Sequence, residues 1–216
     1  MKETKLEPDN IIFYWEPYYS IYPKLITKRA KAALVPPETV NLKLQDGILS
    51  ADGFAPHQWV VEVRRIVKTI PGITRYQEDN LVDVDLRDIN LTREKINRQY
   101  LLFNLSETKI EDGHKGVLED LAADMTKLFK LGQVMNKHVR IDIVGHADAS
   151  GSEKVNMEIS TKRANNALSV LVSNGLNAEN LKAFGVGSSE PIREEITEHD
   201  RKFNRSVRFR VVIANH

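Results

Sequence analysis

The stretch that decides the fold runs from Ile143 to Ala164, IVGHADASGSEKVNMEISTKRA. Upstream of it, Val139, Ile141 and Ile143 alternate with Arg140 and Asp142, the period of two of a half-buried strand. Gly145 and Gly151 bracket a polar turn, which places Asp148 at the mouth of a sheet and exposed. From about Lys154 the period changes: Val155, Ile159, Ala164, Leu168, Leu171 and Val172 recur at helical spacing until Gly175. Asn156, Ile159 or Ser160, and Arg163 share one face of that helix, so Arg163 points back toward the turn that carries Asp148.

Two readings of this acid and base stand side by side. Held apart by a strand and a helix, they match a small zwitterion, the carboxylate taking an ammonium and the guanidinium a carboxylate in its fork. A helix N-terminus nearby adds donors for an anion. Alternatively, Asp148 and Arg163 pair with each other and pin the turn.

The order of several blocks resembles the OmpA-like peptidoglycan-binding domain shared by OmpA C-terminal domains, Pal lipoproteins and the stator protein MotB. LLFNLSETKI at 101–110 is followed by an expected long helix, GHAD at 145–148, NMEISTKRA at 156–164, FGVGSSEPI at 184–192 and FNRSV at 203–207. The resemblance covers about half of the chain, from near Gln99 to near Ile213, and implies that Asp148 and Arg163 grip the diaminopimelate of a peptidoglycan stem peptide. It matches Asn156 to the asparagine at the family's helix start and Ile159 to its apolar pocket residue. Three residues after Phe103, family members place Asp or Asn in the pocket; here Ser106 stands, which supplies no charge and fewer hydrogen bonds. The closing block departs as well, with Ser206 after Asn204 and Arg205 where a second arginine is usual. That second arginine reads as a structural brace and not as a ligand contact. Alanine at Asp148 or Arg163 is expected to abolish wall binding and leave the fold intact.

The 216 residues suit two small domains. The N-terminal region, 1–97, divides into an aromatic lead, a small domain over about 38–88 and a charged linker from Arg87 to Arg98; residues 98–216 form the second domain. Val40, Leu42 and Leu44 alternate before Asp46 and Gly47, a pair suited to a tight hairpin. Pro56 then opens a helix carrying Trp59, Val60, Val63, Ile66, Val67 and Ile70 that Pro71 and Gly72 close, and Leu81 to Leu86 read as a further strand. Trp59, at helical spacing, belongs in the core. LKLQDGILSADGFA at 42–55 and IPGI at 70–73 resemble a BON domain, a module associated with membrane or protein contacts. Ahead of it, Phe13, Tyr14, Trp15, Tyr18, Tyr19 and Tyr22 form an aromatic segment that packs back on the first domain or lies at a membrane surface, before a helix from about Lys24 to Leu34 that Pro36 and Pro37 end.

The expected fold class is therefore α+β: an N-terminal BON-like α/β sandwich, then an OmpA-like βαβαβ domain with a mixed sheet. A formal net charge of +1, balanced in both halves, leaves no basic stripe for nucleic acid. The absence of cysteine excludes disulfides and thiolate metal sites. His146 and Asp148 form an HxD pair that strand alternation sends to one side, but no third ligand stands at metal spacing. No nucleophile triad, phosphate-binding loop or acid in an apolar run is present, so no enzyme, cofactor or metal is expected; Gly185, Gly187 and Ser188 read as a turn. Ile11 to Trp15 is too short for a signal or membrane span. The expectation is a periplasmic piece of a membrane-tethered envelope protein whose export segment is removed from this chain, with native cytoplasmic residence as the alternative. Its expected function is noncovalent cell-wall anchoring; the runner-up is an envelope scaffold with weak or lost wall affinity whose BON-like half contacts a membrane or partner protein.

Overall fold

The computed structural model describes residues 20–215. They fall into two compact units, one comprising residues 20–55 and 59–82, the other 56–58 and 83–215. Each unit is α+β and closes its own apolar core.

The first unit contains α1 (Pro23–Leu34), β1 (Val40–Gln45), β2 (Ile48–Ala55), α2 (His57–Ile66) and β3 (Arg75–Asp83), with strand order β1-β2-β3. Asp46 and Gly47 both take positive φ, 49° and 77°, the geometry of the tight turn that matches strand twist, and the hairpin registers Gln45 on Ile48 and Val40 on Gly53. Leu42, Leu49, Ala51, Val60, Val63 and Val67 form the centre of the core. Trp59 packs against it, and its indole donates to the Leu34 carbonyl at 2.7 Å, which satisfies the one polar atom of the ring. The third strand starts earlier than the apolar run 81–86 suggested. It is formed by Arg75–Asp83, and Val84 to Leu86 are already helical because the Asp83 side chain accepts from the Leu86 amide and caps a new helix. Of the aromatic lead, only Tyr22 lies among the described residues, just ahead of α1.

That new helix, α3 (Val84–Asn97), replaces the expected linker. Its charged residues form the wet face, while Ile89, Thr92 and Ile96, spaced by three and four, are buried. It belongs to the second unit, with β4 (Tyr100–Leu102), α4 (Lys115–Val134), β5 (Lys137–Gly145), α5 (Glu153–Ser173), β6 (Leu181–Gly185), α6 (Glu198–Asn204) and β7 (Ser206–Asn215). The sheet is mixed, in the order β4-β7-β5-β6: β5 runs parallel to β6 and antiparallel to β7. Val139, Ile141 and Ile143 of β5 enter the core beside Leu118, Leu121, Met125 and Leu128 of α4. On the alternate side, the Asp142 carboxylate is held by Arg140 at 2.9 Å and Arg210 at 3.1 Å.

The join between α5 and the ends of β5 and β6 positions the site. A Cβ at Gly145 would collide with the Ser160 carbonyl, and one at Gly185 with the Ser160 hydroxyl and the Thr161 amide. Only glycine lets the helix lie so close to the strands. The face of α5 that meets the sheet is correspondingly small and polar: Asn156, Ser160, Arg163, Ala164, Ala167 and Leu171 are its buried residues, whereas Val155 and Val172 of the expected apolar face are 45% and 39% exposed. Beside the two glycines bulky side chains have no room, and Leu171 joins the apolar core further along the helix.

Candidate functional site

Where β5 ends, the chain turns through His146, Ala147 and Asp148 and enters α5, whose cap is Ser152. The turn is anchored on both sides: His146 N–H donates to the Ser206 carbonyl and Ala147 N–H to the Gly187 carbonyl, each at 2.8 Å. A cavity of about 340 Å³ opens there, lined by Leu105, Ser106, Ala147, Asp148, Ser150, Gly151, Val155, Asn156, Ile159, Arg163 and Arg205. All five residues singled out in the sequence, Asp148, Arg163, Asn156, Ile159 and Ser106, lie on its wall.

Arg163 is 1% exposed and makes no hydrogen bond to Asp148. Its Nε donates to the Glu107 carbonyl at 2.8 Å, Nη1 to His146 O at 3.0 Å and Nη2 to Asn104 O at 3.1 Å. The guanidinium also stands 5.0 Å from the centroid of the Phe103 ring. A guanidinium carries five N–H groups, so two remain, one on each terminal nitrogen. Burial pushes the Arg163 pKa down to about 10, partly offset by the Asp148 charge, and the group stays cationic at neutral pH.

Asp148 sits past the strand end, as its spacing indicates, but it is buried at 4% exposure. It is enclosed by Ser150, whose amide donates to Oδ1 at 3.2 Å and whose hydroxyl donates to the same oxygen, and by Arg205, whose Nη1 donates to Oδ2 at 2.7 Å. Burial alone would raise its pKa; the hydrogen bonds from Ser150 and Arg205 outweigh that and hold it below the ordinary carboxylate value. One lone pair of Oδ2 remains for a ligand, since each carboxylate oxygen accepts about two bonds.

The residue that sequence reasoning missed is Arg205. It lies 57 positions from Asp148, at the end of α6, and is 6% exposed. Its Nε donates to Phe103 O at 3.3 Å and Nη2 to the exposed Glu198 carboxylate at 2.7 Å. Burial opposes its charge, but the bonds from Asp148 and Glu198 prevail and raise its pKa. The FNRSV block was the available signal. Its arginine is the partner of the site's acid, and the serine after it has a buried hydroxyl without a hydrogen-bond partner among the described residues.

Asn156 donates from Nδ2 to Gly151 O and to Ser188 Oγ, both at 3.2 Å, so the glycine-bearing turn at 185–188 braces Asn156 from outside the cavity lining. Ile159 is half-buried, and with Leu105 and Val155 supplies the apolar part of the lining. Ser106 is exposed at φ 59°, and its hydroxyl has no hydrogen-bond partner among the described residues. Asn204, wholly buried, accepts the amides of Ile192 and Arg193 and donates to Arg193 O and Glu195 Oε1. Glu195 in turn accepts the Ala149 amide at 3.0 Å, beside Asp148.

His146 and Asp148 do not face the same way, contrary to simple alternation, because β5 has ended at Gly145. His146 lines a separate cavity with Glu190 and Arg208, and its Nδ1 lies 3.0 Å from Glu190 O. Burial lowers its pKa, and the Arg208 charge adds to that. Among the described residues no cluster of three or more His, Asp or Glu side chains is arranged to hold a metal ion, and no helix is long and apolar enough to cross a membrane.

Residues 102–205 match the model of the OmpA family. This part of the chain is an OmpA-like domain. It is 34% identical over 67 residues to outer membrane porin F of Pseudomonas fluorescens, covering 31% of this chain and 21% of the porin. It is 24% identical over 109 residues to the probable lipoprotein YiaD of Escherichia coli K12, covering 50% and 49%, and 35% identical over 68 residues to the peptidoglycan-binding protein ArfA of Mycobacterium tuberculosis, covering 32% and 21%. The chain thus spans from 21% to 49% of the lengths of these relatives. Among solved structures, the peptidoglycan-associated lipoprotein of Burkholderia pseudomallei superposes with a TM-score of 0.47 at 18% identity, over 53% of this chain and 91% of that one.

Proposed function

We propose that the OmpA-like domain binds peptidoglycan noncovalently through the diaminopimelate of the stem peptide and so anchors an envelope protein to the cell wall. The observation that carries this reading is the complementary vacancy in one cavity: two N–H groups of Arg163 left over from its three carbonyls, and one lone pair of Asp148 left over from Ser150 and Arg205. The first takes a carboxylate in a fork, the second an ammonium, and diaminopimelate carries both on one carbon. Asn156 and Ser106 add polar contacts, and Ile159 meets the methylene chain. The name of ArfA, peptidoglycan-binding protein, supports the same ligand.

Each charge-assisted contact contributes about 1.5 to 3 kcal/mol, so a single stem peptide is held in the micromolar range or weaker. Many stems on one polymer raise the effective concentration and give a durable tether. No bond is made or broken, and the protein acts as a binding module and not as an enzyme. The chain itself works in the periplasm under this reading.

Co-sedimentation with diaminopimelate-containing sacculi, with free diaminopimelate as competitor, tests it. The expected result is sedimentation that the competitor abolishes and that lysine-type sacculi, which lack the second carboxylate, do not support. Absence of binding by the folded chain would make the scaffold reading, in which Ser106 has cost the pocket its affinity, the primary one.

A further inference from the structure

Helices α4 and α5 cover one face of the second unit's sheet, and the other face carries a pattern of its own. Ile141, Ile143, Leu181, Ala183, Phe209 and Val211 turn into the core, so their neighbours along each strand lie on the opposite face. Strand register gathers there the cations that the linear sequence scatters. Lys182, Asp142 and Arg210 form one row across β6, β5 and β7; Phe184, Val144 and Arg208 form the next, with Tyr100 of β4 beyond Arg208; Arg140 and Val212 form a third. Asp142 is shared by Arg140 and Arg210. Lys182 and Arg208 are exposed, and among the described residues neither side chain has a hydrogen bond or an ion pair; the Lys182 ammonium stands 5.7 Å from the centroid of the Phe184 ring.

Beside Arg208 and Arg210 the face sinks into a concavity of about 260 Å³, which Asn97, Val144, His146 and Glu190 also line. That is smaller than the roughly 300–1,000 Å³ of organic-ligand sites and suits one inserted side chain of a larger partner. Asn97 accepts the Val211 amide through Oδ1 at 2.9 Å, which leaves its NH2 group as a donor. With Glu190 counted beside Asp142, two acids face four cations, Arg140, Lys182, Arg208 and Arg210. An excess of cations attracts carboxylates or phosphates, and the apolar residues among them decide between the two: Phe184 and Val212 are half-buried and Tyr100 is 44% exposed. A phosphate polymer leaves them in contact with water, whereas an acidic peptide covers them with its apolar side chains. The rows span about 10 Å by 14 Å from strand spacing and rise, a small fraction of the roughly 800 Å² that each partner contributes to a stable interface between folded proteins. The patch therefore matches a short segment and not a domain.

We propose that this face docks a short acidic segment of a protein partner, with carboxylates on Lys182 and Arg208, one acidic side chain entering the concavity to meet Arg208 and the Asn97 amide group, and apolar side chains against Phe184 and Val212. The site is independent of the peptidoglycan reading, because neither Lys182 nor any other residue of these rows lines the wall-binding cavity.

The test uses the full chain, amide chemical shifts and a capped hexapeptide that alternates glutamate with leucine. Titration is expected to move the signals of residues 140–144, 182–184 and 208–212 saturably, with an affinity that falls severalfold when salt is raised to about 0.3 M. In the Lys182→Gln, Arg208→Gln double variant, whose altered side chains are exposed and unpaired and so leave the fold in place, affinity is expected to fall about fivefold, the sum of two surface ion pairs. Sacculus binding is unchanged in that variant. Absence of shifts at these residues overturns the proposal, as does an affinity unchanged in the double variant or equal binding by the same peptide with glutamine for glutamate. Inorganic polyphosphate binding the same residues more tightly than the peptide overturns it in favour of a phosphate polymer, and loss of sacculus binding in the double variant overturns it in favour of the wall itself.

Discussion

Replacement of Arg163 tests two roles at once. Its guanidinium joins three carbonyls from separate parts of the unit, Asn104 and Glu107 from the loop after β4 and His146 from the turn after β5. Arg163→Ala removes all three charge-assisted bonds; at about 1.5 to 3 kcal/mol each the upper sum is large, but the cavity admits water to the vacated carbonyls. A net loss of about 3 to 5 kcal/mol is the expected size for removing the buried charged member of such a set. This revises the expectation from sequence that alanine leaves the fold untouched: the fold is weakened as well as the binding. Arg163→Lys separates the two roles. A lysine ammonium keeps the charge but cannot serve three diverging carbonyls and a carboxylate fork together, so wall affinity falls ten- to a hundredfold while about half of the stability is retained. Native-state hydrogen exchange of the β5 and β7 amides reads the stability of this unit, and sacculus co-sedimentation reads the binding. Exchange in Arg163→Ala slowed by the same factor as in the parent, within about 1 kcal/mol, would refute the three-carbonyl clamp.

Other expectations follow from the same geometry. Because Asp148 titrates below its ordinary value of 3.8, sacculus binding persists through mild acid and its acid limb has a midpoint under that value; the stability that the carboxylate contributes is likewise lost only as pH falls through the depressed pKa. Histidine 146 behaves in the opposite part of the scale. With a native pKa below 6.5, the unfolded chain binds the proton first, so the unit loses stability as pH falls from about neutral toward the native value, and His146→Gln, followed by urea unfolding at several pH values, flattens that slope. Gly145→Ala drives a methyl group into the Ser160 carbonyl and is expected to cost about 3 kcal/mol, read by thermal unfolding; an unchanged midpoint would mean that α5 moves away freely.

What was legible in the sequence was local. The Asp46–Gly47 hairpin, the β5 alternation and the 153–173 helix each carry their signal within a dozen or so residues, and the structure has all three. Four of the five chosen side chains meet on one cavity because the turn and the helix N-terminus are neighbours in the chain, and the loop after β4 brings Ser106 to the same wall. Three features were not legible. Helix α3 hides its apolar face, Ile89, Thr92 and Ile96, in a run of charges, and is made a helix by its cap and by packing on α4. The polar buried face of α5 follows from glycines on two strands, one of them 40 residues away from Gly145, whose proximity only the parallel β5–β6 pairing creates. Arg205 reaches Asp148 because β7 registers beside β5, with Val207 opposite Gly145, and no spacing rule connects the two.

The position of that β5–β7 ladder also bears on how a wall anchor holds a load. The ligand site hangs on the C-terminal end of β5, an interior strand with nine paired positions along β7 and five along β6. A pull on residues 146–148 directed along β5 loads the bonds of both ladders in shear, all at once, so rupture requires many to fail together. The same pull applied across an edge strand would open them singly, like a zip. Under the proposed wall-anchor reading, placing the grip at the end of an interior strand makes the weakest link the contact with the ligand, which can re-form on the next stem peptide, and not the sheet, which would have to refold.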